Sequence, residues 1–402
     1  MKIAVVTTFY PNAADPLRAV FVRNLVNSMG RSEEVRVISP VACTHAMLRA
    51  SARASLRSIP ASDRQQGVEV AYPRFLALPG LSFLNGLSIM VAVVPLLRDL
   101  RRRGEVDIVH AHCAYPDAVG AALAAGIVGI PLLITAHGSD INVYARRPLL
   151  APQIRWALRR AGGIIGVSRA LCDRIAALVP ERKTCIRQIP CAGIDPAVFR
   201  PGSRSALRAQ RGISAQARVV SFVGQLVPIK GVELLIEAWR LLLVRGVLGE
   251  HDRLLLVGEG PLRESLQSAA AAAVFGDTVR FLGGLQQGDI AQWLASSDLL
   301  CLPSRNEGLP NVIVEALACG IPVVASAVGG IPEIIAPEVN GVLFPPGDAA
   351  ALADALAHAL ARRWDGAAIA DGAAGCTWRS LAARNIEFLS GIHAGCPQAL
   401  HS

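Results

Sequence analysis

The sequence predicts two α/β domains, each built on a doubly wound parallel sheet. Short apolar runs rich in Val, Ile and Leu alternate with longer segments, such as 232–246 and 351–363, whose apolar residues recur near helical spacing. The runs are apolar throughout instead of alternating with polar residues, which is typical of strands buried on both faces. A length of 402 residues fits two ordinary domains. The two Rossmann-like domains are expected to face each other across a cleft.

Six strands are predicted in each half of the chain. The first half contains KIAVVTT, EVRVISP, VDIVHAH, PLLITAH, GIIGVS and TCIRQIP, and the second contains RVVSFVG, RLLLVG, VRFLG, DLLCLPS, PVVAS and GVLFPP. A stretch of Gly, Pro and polar residues near residue 200 precedes a fresh strand, which indicates a linker. The predicted domains are 1–200 and 201–375. A helix over 376–392 is expected to return to the first domain, and 393–402 is expected to form a loose tail.

Composition excludes several classes of protein. With 52% hydrophobic and 18% charged residues, the chain can bury two cores and is not disordered. Nine cysteines occur without a C-x-x-C pair, which favours reduced thiols in a cytoplasmic protein. The start, MKIAVVTTFYP, is typical of a buried strand and not of a signal peptide.

Charge is distributed unevenly. Residues 1–200 carry 25 Lys and Arg against 13 Asp and Glu, whereas residues 201–402 carry 15 against 18. Two arginine clusters contribute to the basic half: Arg98, Arg101, Arg102 and Arg103, then Arg155, Arg159 and Arg160. They predict either contact with anionic lipid head groups or a solvated surface. The chain has no zinc-ligand spacing and no basic motif interleaved with aromatic residues, so nucleic acid is not expected as a partner.

The segment 81–104 is strongly apolar and ends in a basic run. Its apolar stretch is interrupted by Asn85, Gly86 and Pro95 and falls short of the ~20 residues that a bilayer span needs. The pattern favours a packed or interfacial helix over a transmembrane one.

Two glutamates lie eight positions apart in SRNEGLPNVIVEALACG, residues 304–320. Glu307 falls in the loop after a strand, and Glu315 falls inside the following helix, roughly 7 Å further along its axis. The free N–H groups of the helix start lie between them and form an anion site. This layout suits a nucleotide-sugar, with hydroxyls at both ends and phosphates between. The alternative is a pair of glutamates with no ligand, one favoured by the helix dipole and one facing solvent.

Two further strand–turn–helix segments support a nucleotide site in the second half. SFVGQLVPIKGVELLIEAW, residues 221–239, places Gly224 in the turn and Lys230 near the helix start, where a lysine can contact a diphosphate. LLLVGEGPL, residues 254–262, adds another glycine turn. Its G-x-G is followed by Arg263 where a dinucleotide fingerprint needs a third glycine, so a nicotinamide oxidoreductase is not supported.

These motifs together resemble the retaining glycosyltransferases of family 4, which have the GT-B fold. The E-x7-E element is accompanied, in the family's order, by VGQLVPIKG, LLLVGEGPL, VRFLGG, SSDLLCLPSRNEGLPN, EALACGIPVVAS and GGIPEII, which cover most of residues 218–344. DIVHAH, LLITAHGSD and GIIGVS resemble the family's acceptor domain. The opening FYPNAADPLRAVFVRNL is similar to the subgroup that acts in cell-wall and exopolysaccharide biosynthesis.

The resemblance implies roles for individual residues. His137, Glu307 and Lys230 would be catalytic: His137 would reach across the cleft to the donor sugar, Glu307 would hold sugar hydroxyls and Lys230 the diphosphate. The implied substrate-binding residues are Gly224, Gln225, Leu285 beside the base, Gly308, Leu309, Asn311, and Glu315 on the ribose. A buried strand-end histidine is the alternative for His137. His110 and His112 are expected to face opposite sides of their strand, so that at most one lines the cleft.

The implied reaction is metal-independent, hexosyltransferase-like transfer from a nucleoside-diphosphate sugar to a glycan or lipid-linked glycan, with retention. The chain contains no D-x-D motif, so no cofactor and no divalent metal is expected. Two departures from the family stand out: Gln225 replaces the usual arginine, and Arg18 and Ala19 replace a frequent Gly-Gly pair. The first favours an alternative, a catalytically inactive sugar-nucleotide-binding subunit. The expected location is cytoplasmic, peripheral on the inner face of the membrane, with an anionic membrane surface as partner.

Overall fold

A computed structural model describes residues 1–43, 58–272 and 276–395. The chain divides into two compact units, Met1–Cys191 with Trp378–Ser402, and Ala192–Thr377. The boundary predicted at residue 200 therefore falls at residue 191. The reason is that the predicted linker packs in the second unit, where Ile194 forms a β-bridge with Thr377 and Phe199 is buried in the core.

The first unit is built on an eight-stranded sheet. Its strands are β1 (Lys2–Val6), β2 (Glu34–Ile38), β4 (Ser62–Gln65), β5 (Val68–Ala71), β7 (Ile108–His112), β8 (Leu132–Ala136), β9 (Gly163–Gly166) and β10 (Ile186–Gln188), in the order β10-β9-β8-β7-β1-β2-β5-β4. Short strands β3 (Val41–Ala42) and β6 (Arg74–Phe75) form a separate pair. All six strands predicted in this half are confirmed. Apart from β4, the strands of the large sheet pair in parallel.

The hairpin β4–β5 was not predicted. Gln66 and Gly67 form its two-residue turn with φ of 49° and 92°, and β4 pairs antiparallel to β5 at the sheet edge. The residues of β4, SDRQ, are polar and mostly exposed, so they carry no hydrophobic pattern. Edge strands are commonly polar because they must avoid pairing with other chains.

Helices cover this sheet. They are α1 (Val20–Met29), α2 (Asn85–Arg102), α3 (Val119–Val128), α4 (Ser139–Asn142), α5 (Ala151–Arg160) and α6 (Arg169–Leu178). Helices α2 and α3 pack closely because Gly120 lies against Ile89, where a β-carbon would be 2.5 Å from Ile89 Cγ2.

The segment Ser82–Arg102 is long and apolar enough to cross a membrane by length and composition. One face of this helix packs on α3, as expected for a packed helix.

The last helix of the chain, Trp378–His393, lies with the first unit. It packs on α1 and on β9, where Gly163 leaves room for Phe388 and Ile392. Arg384 donates to the carbonyl of Gln188 at 2.9 Å. Of the predicted tail, 393–402, residues 396–402 lie outside the described residues.

The second unit contains a six-stranded sheet with all pairs parallel. Its strands are β11 (Val219–Val223), β12 (Arg253–Val257), β13 (Val279–Gly283), β14 (Leu299–Leu302), β15 (Val323–Ser326) and β16 (Gly341–Phe344), as predicted, in the order β13-β12-β11-β14-β15-β16. Its helices are Arg204–Gln210, Val232–Val244, Arg263–Ala272, Gln287–Ser296, Asn311–Ala318, Ala349–Ala361 and Gly366–Ala373. The strand order reverses between β11 and β14. In open α/β sheets, such a switch point leaves a crevice at the carboxyl ends of the strands.

Candidate functional site

Two loops flank the switch point of the second sheet. One follows β11 and carries Gly224, Gln225 and Lys230, and the other follows β14 and carries Glu307, Gly308 and Leu309. The backbone joins them, because the amide of Arg305 donates to the carbonyl of Ile229 at 2.8 Å. Seven of the predicted donor-site residues in this half therefore lie on these loops or at the start of the helix after β14. Leu285 follows β13, at the edge of the sheet.

Lys230 and Glu307 form an ion pair, although 77 positions separate them in the sequence. Lys230 Nζ lies 2.5 Å from Glu307 Oε1, and Ser304 Oγ donates to the same oxygen at 2.6 Å. The side chains are only 22% and 9% exposed. The charges of the two predicted catalytic groups of this unit therefore compensate each other where both side chains are largely shielded from solvent.

Glu315 is the fifth residue of the helix Asn311–Ala318 and is 8% exposed. Within the described ranges, its carboxylate has no hydrogen-bond or ion-pair partner. Burial raises the pKa of Glu315 to about 7. A buried carboxyl is normally paired, since desolvation of an unpaired charge is costly. An unpaired carboxyl group at a switch point can accept hydrogen bonds from the hydroxyl groups of a ligand.

The start of this helix is open to an acceptor. Pro310 precedes the first helical residue, Asn311, and no side chain in the described part of the chain caps it. The buried Oδ1 of Asn311 also has no partner among the described residues. Free amide groups and the helix dipole together favour an anion here.

The glycines after β12 have a packing role that the sequence analysis did not recognise. A β-carbon on Gly258, whose φ is 142°, would lie 1.9 Å from the carbonyl oxygen of Gly224, and one on Gly260 would lie 2.4 Å from that of Leu226. Glycine is therefore required for the close approach of two loops, whether or not a ligand binds.

His137 lies in the first unit, at the carboxyl end of β8, and is half-buried. Its Nε2 lies 3.1 Å from Nδ1 of His112, and its ring meets Phe21 edge-on. Burial lowers the pKa of His137, an effect that the carboxylate of Asp140 opposes. Both expectations for this residue, a ligand contact and a strand-end histidine, are compatible with this position.

The expectation that His110 and His112 face opposite sides of β7 is wrong. Their ring centroids lie 4.2 Å apart. Residues two apart in a strand share a face, because the side-chain period is two. The two rings therefore extend one histidine cluster from His137 into the core.

Two buried aspartates were missed by the sequence analysis. Asp140 accepts from the backbone amides of Ala114 at 2.7 Å and of Gly138 at 2.8 Å, and so ties the ends of β7 and β8 together. Asp117 accepts from the amide of Thr8 at 2.8 Å, and burial raises its pKa to about 7. The available signal was their position just after predicted strands, in CAYPD and HGSD.

Two α/β units, each built on a largely parallel sheet, with a crevice at the switch point of the second, are features of the GT-B class of glycosyltransferase. The sequence pattern described as "Glycosyl transferases group 1" matches residues 203–370, and that described as "Glycosyltransferase Family 4" matches residues 18–198. The chain belongs to the family 4 glycosyltransferases.

Relatives and solved structures agree with this assignment. The chain is 32% identical over 267 residues to N-acetyl-alpha-D-glucosaminyl L-malate synthase of Bacillus anthracis, covering 66% of this chain and 68% of the relative. It is 27% identical over 363 residues to the putative teichuronic acid biosynthesis glycosyltransferase TuaC of Bacillus subtilis, covering 89% and 88%. Anabaena HepE in complex with UDP has a similar fold, with a TM-score of 0.71 at 24% identity over 97% of this chain and 100% of that one.

Proposed function

We propose that this glycosyltransferase takes a hexosyl group from a nucleoside-diphosphate sugar and transfers it, with retention, to a hydroxyl of a glycan or lipid-linked glycan. The observation that carries the donor assignment is the buried carboxyl of Glu315, which has no partner among the described residues and lies beside a helix start that none of their side chains caps. Its oxygens would accept hydrogen bonds from the ribose hydroxyls. The amides near Leu309 and Asn311 would bind the diphosphate.

Lys230 would exchange partners when the donor binds. Its ammonium group forms an ion pair with Glu307. A diphosphate carries more negative charge than one carboxylate, so it competes for the ammonium and leaves Glu307 to accept from sugar hydroxyls. His137 would contact the transferred sugar, as the family resemblance implies.

Catalysis by these groups would be mainly electrostatic. As the sugar–phosphate bond breaks, negative charge grows on the diphosphate, and Lys230 with the helix start would stabilise it without a divalent metal. The leaving phosphate oxygen would take the proton of the acceptor hydroxyl on the same face of the sugar. This route needs no protein nucleophile and retains the configuration at the anomeric carbon.

Calorimetric titration with UDP-, GDP- and ADP-sugars tests the donor site. One nucleotide class should bind, and Glu315→Ala should weaken it at least tenfold, about the loss of one charge-assisted hydrogen bond. Glu264→Ala, an exposed glutamate of the same unit, is the matched control and should bind normally. Equal binding by Glu315→Ala would contradict the assignment.

A second candidate, an inactive sugar-nucleotide-binding subunit, is favoured by one observation. Gln225 is exposed on the loop after β11, where the family usually carries arginine, and supplies no charge. Turnover of the donor by the purified chain separates the two. Transfer or slow donor hydrolysis supports the enzyme, whereas tight binding with neither supports the subunit.

The outward stripe of α2 favours a lipid-linked acceptor. Leu87 and Val91 are 49% and 65% exposed, and Pro95, Arg98 and Arg102 continue the same stripe at helical spacing. The stripe is apolar in its first half and basic in its second. An interfacial helix of this kind suits the anionic, cytoplasmic surface of a membrane.

Co-sedimentation with vesicles tests this surface. Arg98→Glu with Arg102→Glu, or Val91→Asp, should reduce binding to anionic vesicles and leave donor binding intact. Arg363→Glu, an exposed arginine of the second unit, is the control. Equal binding by all of the proteins, or no binding by the wild type, would contradict the membrane proposal.

A further inference from the structure

Three histidines of the first unit form a continuous chain. His110 Nε2 lies 2.8 Å from Thr135 Oγ1, the rings of His110 and His112 are in contact, and His112 Nδ1 lies 3.1 Å from His137 Nε2. The rings of His112 and His137 are nearly parallel, at 19°. His110 and His112 are fully buried. The chain thus connects the sheet interior to the half-buried His137 at the end of β8.

The inner histidines are neutral, because burial lowers the pKa of His110 to about 3 and that of His112 well below its usual value. A neutral imidazole carries one proton and one lone pair on its two nitrogens. The hydrogen bond between His112 and His137 therefore has a direction. Which nitrogen donates also decides where the proton of His137 lies.

Unpaired atoms in the core indicate that direction. His112 Nε2 is buried and has no hydrogen-bond partner among the described residues. If His137 donated to Nδ1 of His112, the proton of His112 would lie on Nε2 as an orphaned N–H. If His112 donates instead, only a lone pair is left unpaired there. Orphaned buried N–H groups are rarer than under-satisfied acceptors, so the second arrangement is favoured.

The same argument applies one ring deeper. His110 Nδ1 is also buried without a partner in the described part of the chain, while its Nε2 faces Thr135 Oγ1. Placing the proton on Nε2 again leaves a lone pair, not an N–H, unpaired. In both inner rings, the proton therefore lies on the nitrogen that has a hydrogen-bond partner.

We propose that His112 is a positioning residue that donates from Nδ1 to Nε2 of His137 and so holds the proton of His137 on Nδ1. His137 then presents an uncharged N–H donor to an oxygen of the transferred sugar. This step rests on the proposed role of His137 in the reaction. It makes His137 a hydrogen-bond donor and not a base, since its Nε2 lone pair is already engaged by His112.

Nitrogen NMR of the protein labelled with ¹⁵N in its histidine rings tests the proton's position without any substrate. The signal of His137, assigned by its loss in His137→Asn, should show a protonated Nδ1 and an unprotonated Nε2. In His112→Phe, which keeps an aromatic ring but no donor, the proton should redistribute towards Nε2. A urea-unfolding midpoint close to that of the wild type establishes that the variant is folded. A proton on Nε2 in the wild type, or no change in His112→Phe, overturns the proposal.

Transfer kinetics test the consequence. His112→Phe should lower kcat/KM by about fivefold to tenfold, the effect of one hydrogen bond. His112→Asn, whose amide nitrogen can replace Nδ1 as the donor, should recover most of it. His137→Asn should likewise retain more activity than His137→Gln, because the Asn amide lies near the position of Nδ1. Redistribution of the proton without a kinetic effect would overturn the link between His112 and the reaction, and would leave the donor site tested at Glu315 unaffected.

Discussion

Replacing Glu315 by Gln should stabilise the protein at alkaline pH while removing the carboxylate that we propose binds the donor. Burial raises the pKa of Glu315 from 4.5 to about 7. At 1.36 kcal/mol per pH unit, ionising this carboxyl in the folded chain costs about 3 kcal/mol more than in the unfolded chain. The unfolded chain loses this proton near pH 4.5, whereas the folded chain keeps it until about pH 7. The free energy of unfolding therefore falls between these values and stays low above them.

Gln is neutral at every pH and avoids this loss. The difference in unfolding free energy between Glu315→Gln and the wild type should grow by about 2 kcal/mol from pH 5.5 to pH 8.5, in favour of the variant. Urea unfolding at the two pH values measures it. The exposed Glu264→Gln is the control, and its difference should not change with pH. If the difference in unfolding free energy between Glu315→Gln and the wild type is the same at both pH values, other groups compensate for the desolvation of the carboxylate. The argument for a ligand-binding carboxyl then fails.

Three further predictions concern the loops at the strand ends. Gly258→Ala should lower the free energy of unfolding by about 3 kcal/mol, because its β-carbon would overlap the carbonyl oxygen of Gly224; a urea midpoint within error of the wild type would contradict this. Asp140→Asn should cost about 3 kcal/mol by the same assay, since an amide cannot accept on both sides and leaves the amide of Ala114 unpaired; full stability would show that this contact is dispensable. Lys230→Met should weaken binding of the nucleoside diphosphate about tenfold or more but leave the nucleoside unchanged in calorimetry; an equal loss for both would place Lys230 away from the phosphates.

Much of the fold could be predicted from local sequence. Parallel strands are buried on both faces, so each appears as an apolar run, and all twelve predicted strands were found. The polar strand Ser62–Gln65 could not be found this way, because its edge position demands no apolar side chains. The domain boundary was displaced for a related reason: Phe199 sits in a linker-like stretch, and only packing shows which core buries it.

The sequence by itself determined the spacing of Glu307 and Glu315, since a strand, a turn and a helix in succession place both at one end of the sheet. Only the tertiary structure decided what surrounds them. Lys230 reaches Glu307 because the strand order reverses between β11 and β14 and brings two distant loops together. That Glu315 has no partner within the described part of the chain is likewise a property of the whole packed unit, since whether a carboxylate meets a cation depends on every segment that folds around it.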